Sequence, residues 1–309
     1  MYARQDDSRF VGLPKLRVIS LGAGVQSTVM ALKAAKGKFR DEQGNPVKID
    51  YAIFADTGWE PKSVYHHLDW LEKELLDLKF GFPIKKASVK DLYRQRGKSN
   101  KKWRLQDHLL AGKNSTGQDF FTIPAFILNE DKKKSLARRQ CTREYKLDPI
   151  RFMIRQLAGV KPRQVFPKRE WVEQWIGIST DEIIRMKDSR DVWCKNRWPL
   201  IEQKTSRKGC LAWFRRNYPG QHLPRSACIG CPLRTDAEWA EMKNSDREAW
   251  EQAIHIDQAL RKKARAKKFG GVVYLHRKMI PLDKVSFSKR KTSRQRNRFL
   301  EECEGMCGV

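Results

Sequence analysis

The chain has 309 residues, 64 Lys and Arg against 36 Asp and Glu, a formal net charge of +28 and 40% apolar residues. That is enough apolar material for one large domain, or one domain with appendages, and it excludes a disordered chain. No apolar run approaches the ~18 residues that cross a bilayer, and residues 1–10 carry four charges without the apolar centre of a secretory signal; no membrane association and a cytoplasmic location are the expectations.

In chain order, residues 16–20 read as a strand, a Gly-rich turn follows, and residues 27–35 read as a helix. A second strand, residues 49–55, ends in Asp56-Thr57-Gly58-Trp59-Glu60-Pro61. Val64, Leu68, Leu71, Leu75 and Leu78 then recur at helical spacing, with Pro61 suited to the first turn. Residues 83–87 suggest a third strand. Strand and helix alternating at this spacing predict an α/β fold with a Rossmann-like, doubly wound parallel sheet. Residues 90–139 are polar, basic and rich in turn signals, as in a substrate-facing insertion or loop set. Residues 171–178 return to strand composition, and Thr235-Asp236-Ala237-Glu238 is a capping box that opens a helix. The expected division is a nucleotide-binding domain, 1–203, and a helical, basic, Cys-containing region, 204–309.

Between Arg261 and Arg298 there are 15 Lys and Arg against one acid, Asp283. Such a surplus favours a polyanion, since each neutralised phosphate releases counterions; the alternative is a solvated basic tail. Nucleic acid is therefore the expected partner.

Three motifs fall where a doubly wound sheet binds ligands, beyond the carboxyl ends of its strands. In Ser20-Leu21-Gly22-Ala23-Gly24-Val25-Gln26-Ser27-Thr28 the glycines allow close approach of an anion, and hydroxyls and amides donate to it. The loop lacks the Lys of a Walker motif. Asp56 and Glu60 lie on the next turn. Asp181, Glu182 and Arg185 follow Gly177-Ile178-Ser179-Thr180, so that Arg185 is a candidate for phosphate and a carboxylate for Mg²⁺. For each acid alone, a helix cap or surface ion pair is the commoner fate; jointly they favour a nucleotide site.

Seven cysteines, odd in number and clustered late, do not form an extracellular disulfide framework. Cys228-Ile229-Gly230-Cys231 has metal-ligand spacing, shared with redox dithiols. Cys210, Cys303 and Cys307 are further candidate ligands. Cys141, in Arg138-Arg139-Gln140-Cys141-Thr142-Arg143, has an electropositive setting that lowers a thiol pKa, which makes it a candidate nucleophile or sulfur carrier as well as a fourth ligand. Cys194 has no neighbouring partner and reads as a structural residue.

The blocks Asp56 to Pro61, Cys141-Thr142-Arg143-Glu144-Tyr145-Lys146 and Gly177 to Glu182 resemble motifs of the PP-loop ATP pyrophosphatase (adenine nucleotide α-hydrolase) superfamily, in its phosphoadenosine-phosphosulfate-reductase-like branch. Cys210, the block Ser226 to Pro232 and the ending Glu302 to Val309 resemble a bacterial and phage subgroup. The resemblance implies a fold that binds ATP through Ser20, Gly22, Gly24, Gln26, Ser27, Thr28, Asp56, Thr57, Gly58, Gly177 and Ser179. It implies cleavage between the α and β phosphates with Mg²⁺ assistance, adenylation of a substrate oxygen, and displacement of AMP by a nucleophile. Members that modify tRNA or DNA with sulfur carry Cys-ligated 4Fe-4S clusters, for which Cys210, Cys228 and Cys231 are the expected ligands here, with Cys303, Cys307 or Cys141 completing the set. Zn²⁺ is the competing metal. Two departures stand out: the loop is about two residues longer than the family's, and Gln26 replaces its Asp, which puts Mg²⁺ ligation there in doubt. The resulting expectation is an ATP-dependent sulfurtransferase on tRNA or DNA, supplied by a sulfur donor protein or sulfide, with Cys141, Asp181 and Arg185 as catalytic candidates. A sulfonucleotide reductase on a small substrate and a non-catalytic nucleic-acid-binding protein with structural zinc are the alternatives. The oligomeric state stays open, a homodimer being one option.

Overall fold

The computed structural model describes residues 7–98, 101–119, 122–262 and 270–287. The first strand, β1 (Leu16–Leu21), leads through the Gly-rich turn into α1 (Val25–Ala35); β2 (Tyr51–Ala55), α2 (Lys62–Asp77) and β3 (Ile84–Ala87) follow. Then come α3 (Val89–Gln95), α4 (Leu105–Ala111), β4 (Phe126–Leu128), β5 (Lys134–Leu136) and α5 (Asp148–Leu157). The chain returns to the sheet with β6 (Val172–Ile176) and β7 (Cys194–Arg197), separated from the rest by α6 (Pro199–Glu202) and α7 (Arg207–Asn217). It continues with α8 (Asp236–Ser245), α9 (Arg247–Leu260) and β8 (Val272–Tyr274).

The main sheet has the order β3-β2-β1-β6-β7 with every pair parallel. Strands of such a sheet are buried on both faces, so they read as continuous apolar runs. Alternate side chains serve opposite cores: Ile19, Leu21 and Phe54 pack with α1, α2 and Phe214 of α7, while Val18 and Ile53 pack with Ile150 and Ile154 of α5. Of the 11 residues of α1, all but Lys33 are buried, because sheet and α7 enclose it. The helix α2 instead shows one apolar stripe, Val64, Leu68, Leu71 and Leu75, as its 3–4 spacing predicts.

The segment expected as a substrate-facing insertion or loop set contains regular elements. Residues 90–139 fold into α3, α4 and the β4–β5 hairpin, whose strand β4 also pairs with β8 in the antiparallel order β5-β4-β8. Around it lies a core of Trp59, Tyr93, Leu105, Tyr145, Trp239 and Trp250. The buried carboxylate of Asp257 fastens α9 to this sheet, accepting the amides of Leu275 at 2.9 Å and Leu282 at 3.0 Å. Packing therefore divides the chain differently from a 203/204 boundary: α7, beyond it, belongs to the sheet's core, and the insertion shares a core with α8 and α9.

Candidate functional site

The strand order reverses between β1 and β6, so the loops leaving these two strands border the crevice at which open parallel sheets bind ligands. The structure brings together the first and third motifs there. Gly177, after β6, lies against the start of α1; a Cβ on it would sit 2.9 Å from the Ser27 amide nitrogen. The turn after β1 is closed from within, the Gly22 amide donating to Ser27 Oγ at 3.2 Å. Its left-handed residue is Ala23 (φ 57°) rather than a glycine, a conformation that costs a residue with a Cβ about 1 kcal/mol. Thr28 bonds His67 Nε2 at 3.0 Å, and burial, with His222 adding to it, pulls the His67 pKa down to about 4, so the ring is neutral.

Gln26 is the hub of this corner. Its amide donates to Ser179 Oγ at 3.4 Å and to Glu182 Oε2 at 3.2 Å, and its Oε1 accepts from Arg207 at 2.7 Å. Glu182 also forms a buried ion pair with Arg185. An aspartate at position 26 would bring a second negative charge against Glu182. The neutral amide of Gln26 donates to that carboxylate instead.

Two of the expected catalytic side chains occupy structural positions here. Arg185, proposed for phosphate, points into the ion pair with Glu182 and is 6% exposed. Asp181 accepts the Arg207 amide at 2.5 Å, at the start of α7, the helix-cap role that is common for such an acid. Ser20 accepts from Gln174 across the β1–β6 pair.

The second motif bridges to the cysteines. Asp56 Oδ1 accepts from the Gly58 amide at 2.8 Å and from the Tyr65 hydroxyl at 2.9 Å, and burial followed by that carboxylate pushes the Tyr65 pKa upward. Thr57 donates to Glu60 at 2.9 Å and lies 3.5 Å from Cys228 Sγ, which itself donates to Glu60 at 3.5 Å. Gly58 takes φ +68°, with Trp103 and Arg104 pressed against its Cα, so a side chain there is excluded by conformation and space alike. In the Cys-x-x-Cys turn, a Cβ on Gly230 would lie 2.1 Å from the Trp59 ring.

Cys141, Cys228 and Cys231 line one narrow recess together with Arg139, Lys146 and an apolar wall that includes Trp59 and Ile123. The Thr122 carbonyl accepts the amides of both Gln140 (2.8 Å) and Cys141 (2.9 Å), which fixes Cys141 across from the Cys-x-x-Cys turn. Arg234, buried behind that turn, donates to the carbonyls of Ala227, Cys228 and Ile229 at 3.0–3.2 Å. Burial lowers its pKa, Cys231 opposing the shift most, yet a guanidinium stays charged. It sets the turn's shape and places a cation behind the two sulfurs.

Cys210 lies apart from the pair it was expected to join. It is fully buried on α7 in the core above the sheet, among α1 side chains, whereas Cys228 belongs to the other core. Its spacing upstream of the pair was the signal, but α7 turns it inward like any small apolar residue. Cys141 lines the same recess as Cys228 and Cys231. Cys303 and Cys307, and much of the basic stretch beyond Arg261, lie outside the described residues. Among the described residues no three His, Cys, Asp or Glu side chains converge closely enough to grip a single ion. Cys194, 1% exposed in β7, has its thiol pKa raised to about 12 by burial, as befits a structural cysteine.

Neither the protein-family models nor the curated proteins contain a match to this chain.

Sequence reading missed Arg234, Lys146 and the pair His108–Tyr145. A cation three residues after a Cys-x-x-Cys turn was the available sign of the first; the others depend on a π turn, Arg143–Leu147, that no periodicity announces.

Proposed function

We propose that this chain is an ATP-dependent sulfurtransferase of the PP-loop type, in the phosphoadenosine-phosphosulfate-reductase-like branch, that adenylates tRNA or DNA and replaces an oxygen by sulfur. The observation that carries the reading is the 3.5 Å approach of Thr57 to Cys228: the loop after β2 is a shared wall between the nucleotide edge of a parallel sheet and a recess lined by three cysteines. The finer fold description belongs to the same reading: a Rossmann-like sheet for ATP, with a basic C-terminal region carrying Cys303 and Cys307.

In this reaction a substrate oxygen attacks the α phosphorus of ATP, the bond to the β-phosphate oxygen breaks, and pyrophosphate leaves with that electron pair. A sulfide equivalent from the sulfur donor then attacks the activated centre, and AMP leaves with the former substrate oxygen. The roles of this chain's residues follow from their positions. Amides of the turn after β1, with Ser27 and Thr28, receive phosphate oxygens. Asp56, on the neighbouring turn, orients the nucleotide. Arg139 and Lys146 supply the positive charge that holds an anion in the recess beside Cys141. Soft thiolates with apolar walls would suit a 4Fe-4S cluster, which Cys141, Cys228 and Cys231 would hold with Cys303 or Cys307 and which would supply Lewis-acidic iron there. Mg²⁺ finds less support: Gln26 carries no charge, and Glu182 is committed to Arg185.

Pyrophosphate release from ATP, measured on protein purified without oxygen and supplied with tRNA or DNA, tests the reading. Release is expected, lowered at least tenfold in Asp56→Ala, with iron and sulfide lost in Cys228→Ala. One observation favours a second reading, a non-catalytic nucleic-acid-binding protein with structural zinc: Gln26, Ser27 and Thr28 are buried and bonded within the protein. Salt-sensitive binding without turnover decides for it, and thioredoxin-dependent sulfite release decides for a sulfonucleotide reductase.

A further inference from the structure

Four cations gather on one exposed corner of the insertion. The amides of Arg96 and Lys98 both donate to the Tyr93 carbonyl, at 3.0 and 2.8 Å, and the Lys113 amide donates to the His108 carbonyl at 3.0 Å. Lys101 reaches into the same hub, its ammonium 3.2 Å from the Ser115 carbonyl and 4.7 Å from the centre of the Tyr93 ring. Tyr93 and His108, 3.2 Å apart, thus anchor the main chain of Arg96, Lys98 and Lys113 and the ammonium of Lys101 around one hub. Among the described residues none of the four makes an ion pair. Of the acids near the hub, Glu144 accepts from the Ser115 amide at 3.1 Å and hydroxyl at 2.7 Å, Asp107 lies toward His108, and Asp148, which feels Arg96, is shared with Arg143 and Arg151 at 4.0 and 3.9 Å. The field is concentrated enough to act on its own members, since burial and then Lys98, Arg96 and Lys113 lower the Lys101 pKa.

We propose that Arg96, Lys98, Lys101 and Lys113 form the platform that receives the phosphodiester backbone of the nucleic-acid substrate beside the cysteine recess. The inference rests on the nucleic-acid reading above. A like-charge cluster held by backbone hydrogen bonds destabilises the free protein and is relieved by a polyanion; a strand of several phosphates meets that requirement as a single small anion does not. The platform is one layer of side chains from the recess. His108 Nε2 lies 3.1 Å from the Lys102 carbonyl, which only accepts, so that nitrogen carries the proton and Nδ1 accepts from the Tyr145 hydroxyl. Tyr145 belongs to the π turn that follows Cys141 and carries Lys146 into the recess. A strand seated on the platform therefore lies over elements that lead through Tyr145 to Lys146 and the turn that follows Cys141.

The test is binding of a fluorescently labelled 20-nucleotide single strand between 50 and 200 mM salt, by the full chain and by the triple variant Arg96→Gln, Lys98→Gln, Lys113→Gln. Loss of three phosphate contacts is expected to weaken binding about 10-fold or more at low salt and to flatten the log–log salt slope by about 2. Unchanged affinity and slope overturn the proposal, as does a slope that resides wholly in a Lys289→Gln, Arg290→Gln, Lys291→Gln variant. An equal loss of inorganic pyrophosphate binding marks a small-anion site and overturns it too, as does no binding by the unaltered chain. Pyrophosphate release from ATP by the unaltered chain is scored separately, so failure of the platform and failure of the sulfurtransferase reading are distinguishable. Thermal melting of the triple variant at or above that of the unaltered chain shows that the fold is intact.

Discussion

The parallel sheet and the 90–139 insertion use charge in opposite ways. Around the sheet, cations are spent on shape: Arg151 pairs with Asp191, Arg197 with Glu202, and Arg185 with the buried Glu182. On the insertion, Arg96, Lys98, Lys101 and Lys113 form no salt bridge among the described residues, and backbone hydrogen bonds fix the main chain that carries them. The lesson is that the net charge of +28 is not spread as a solubilising coat. Among the described residues, these sheet arginines are held in ion pairs and the four insertion cations are not.

The contrast predicts that charge changes unfold the sheet region and leave the insertion standing. The largest effect is expected at Glu182→Ala, which strands Arg185 as a buried cation and removes an acceptor from Gln26; the loss is about 4 kcal/mol in denaturant unfolding. A loss below about 1 kcal/mol would mean that water reaches this corner and that the pair is not sealed. Next comes His67. Its pKa is lower in the folded chain (about 4) than in the unfolded chain, so its contribution is intact above about pH 6.5 and is lost as pH falls toward 4. Up to about 3 kcal/mol of acid destabilisation over that window is expected to disappear in His67→Gln, with Thr28 still hydrogen-bonded. An unaltered acid limb in His67→Gln would assign the window to other groups. The smallest effect belongs to Lys98→Gln, whose melting is expected to stay within about 0.5 kcal/mol and to move upward, because repulsion is relieved. A clear loss there would show that the insertion, too, uses its cations for stability.

The sheet was legible because its signals are local. Apolar runs mark β1, β2 and β6, the 3–4 stripe marks α2, and Thr235 with Glu238 forms the capping box at the start of α8. All three motifs do meet along one sheet edge. The roles within them were less legible, since whether Arg185 faces a ligand or Glu182 depends on a partner three residues away that could equally face solvent. The cysteines divide in the same way. Cys228 and Cys231 announce themselves by spacing, whereas Cys141 joins them only through a carbonyl of Thr122, and Cys210 is removed by the packing of a helix. The insertion hid its structure because strands of three residues leave no periodicity to read.

The sheet order has a consequence for how the chain is made. The central strand β1 pairs on one side with β2, which follows soon after, but on the other with β6, Leu16 lying beside Val172. During synthesis the β3-β2-β1 half is complete while its inner edge still awaits a strand that lies beyond the whole insertion. Contacts so distant in sequence slow folding, and an open apolar edge is a template for pairing with other chains. The nascent protein is thus most vulnerable to aggregation in the interval before β6 emerges, and truncation between β3 and β6 yields the most aggregation-prone fragment.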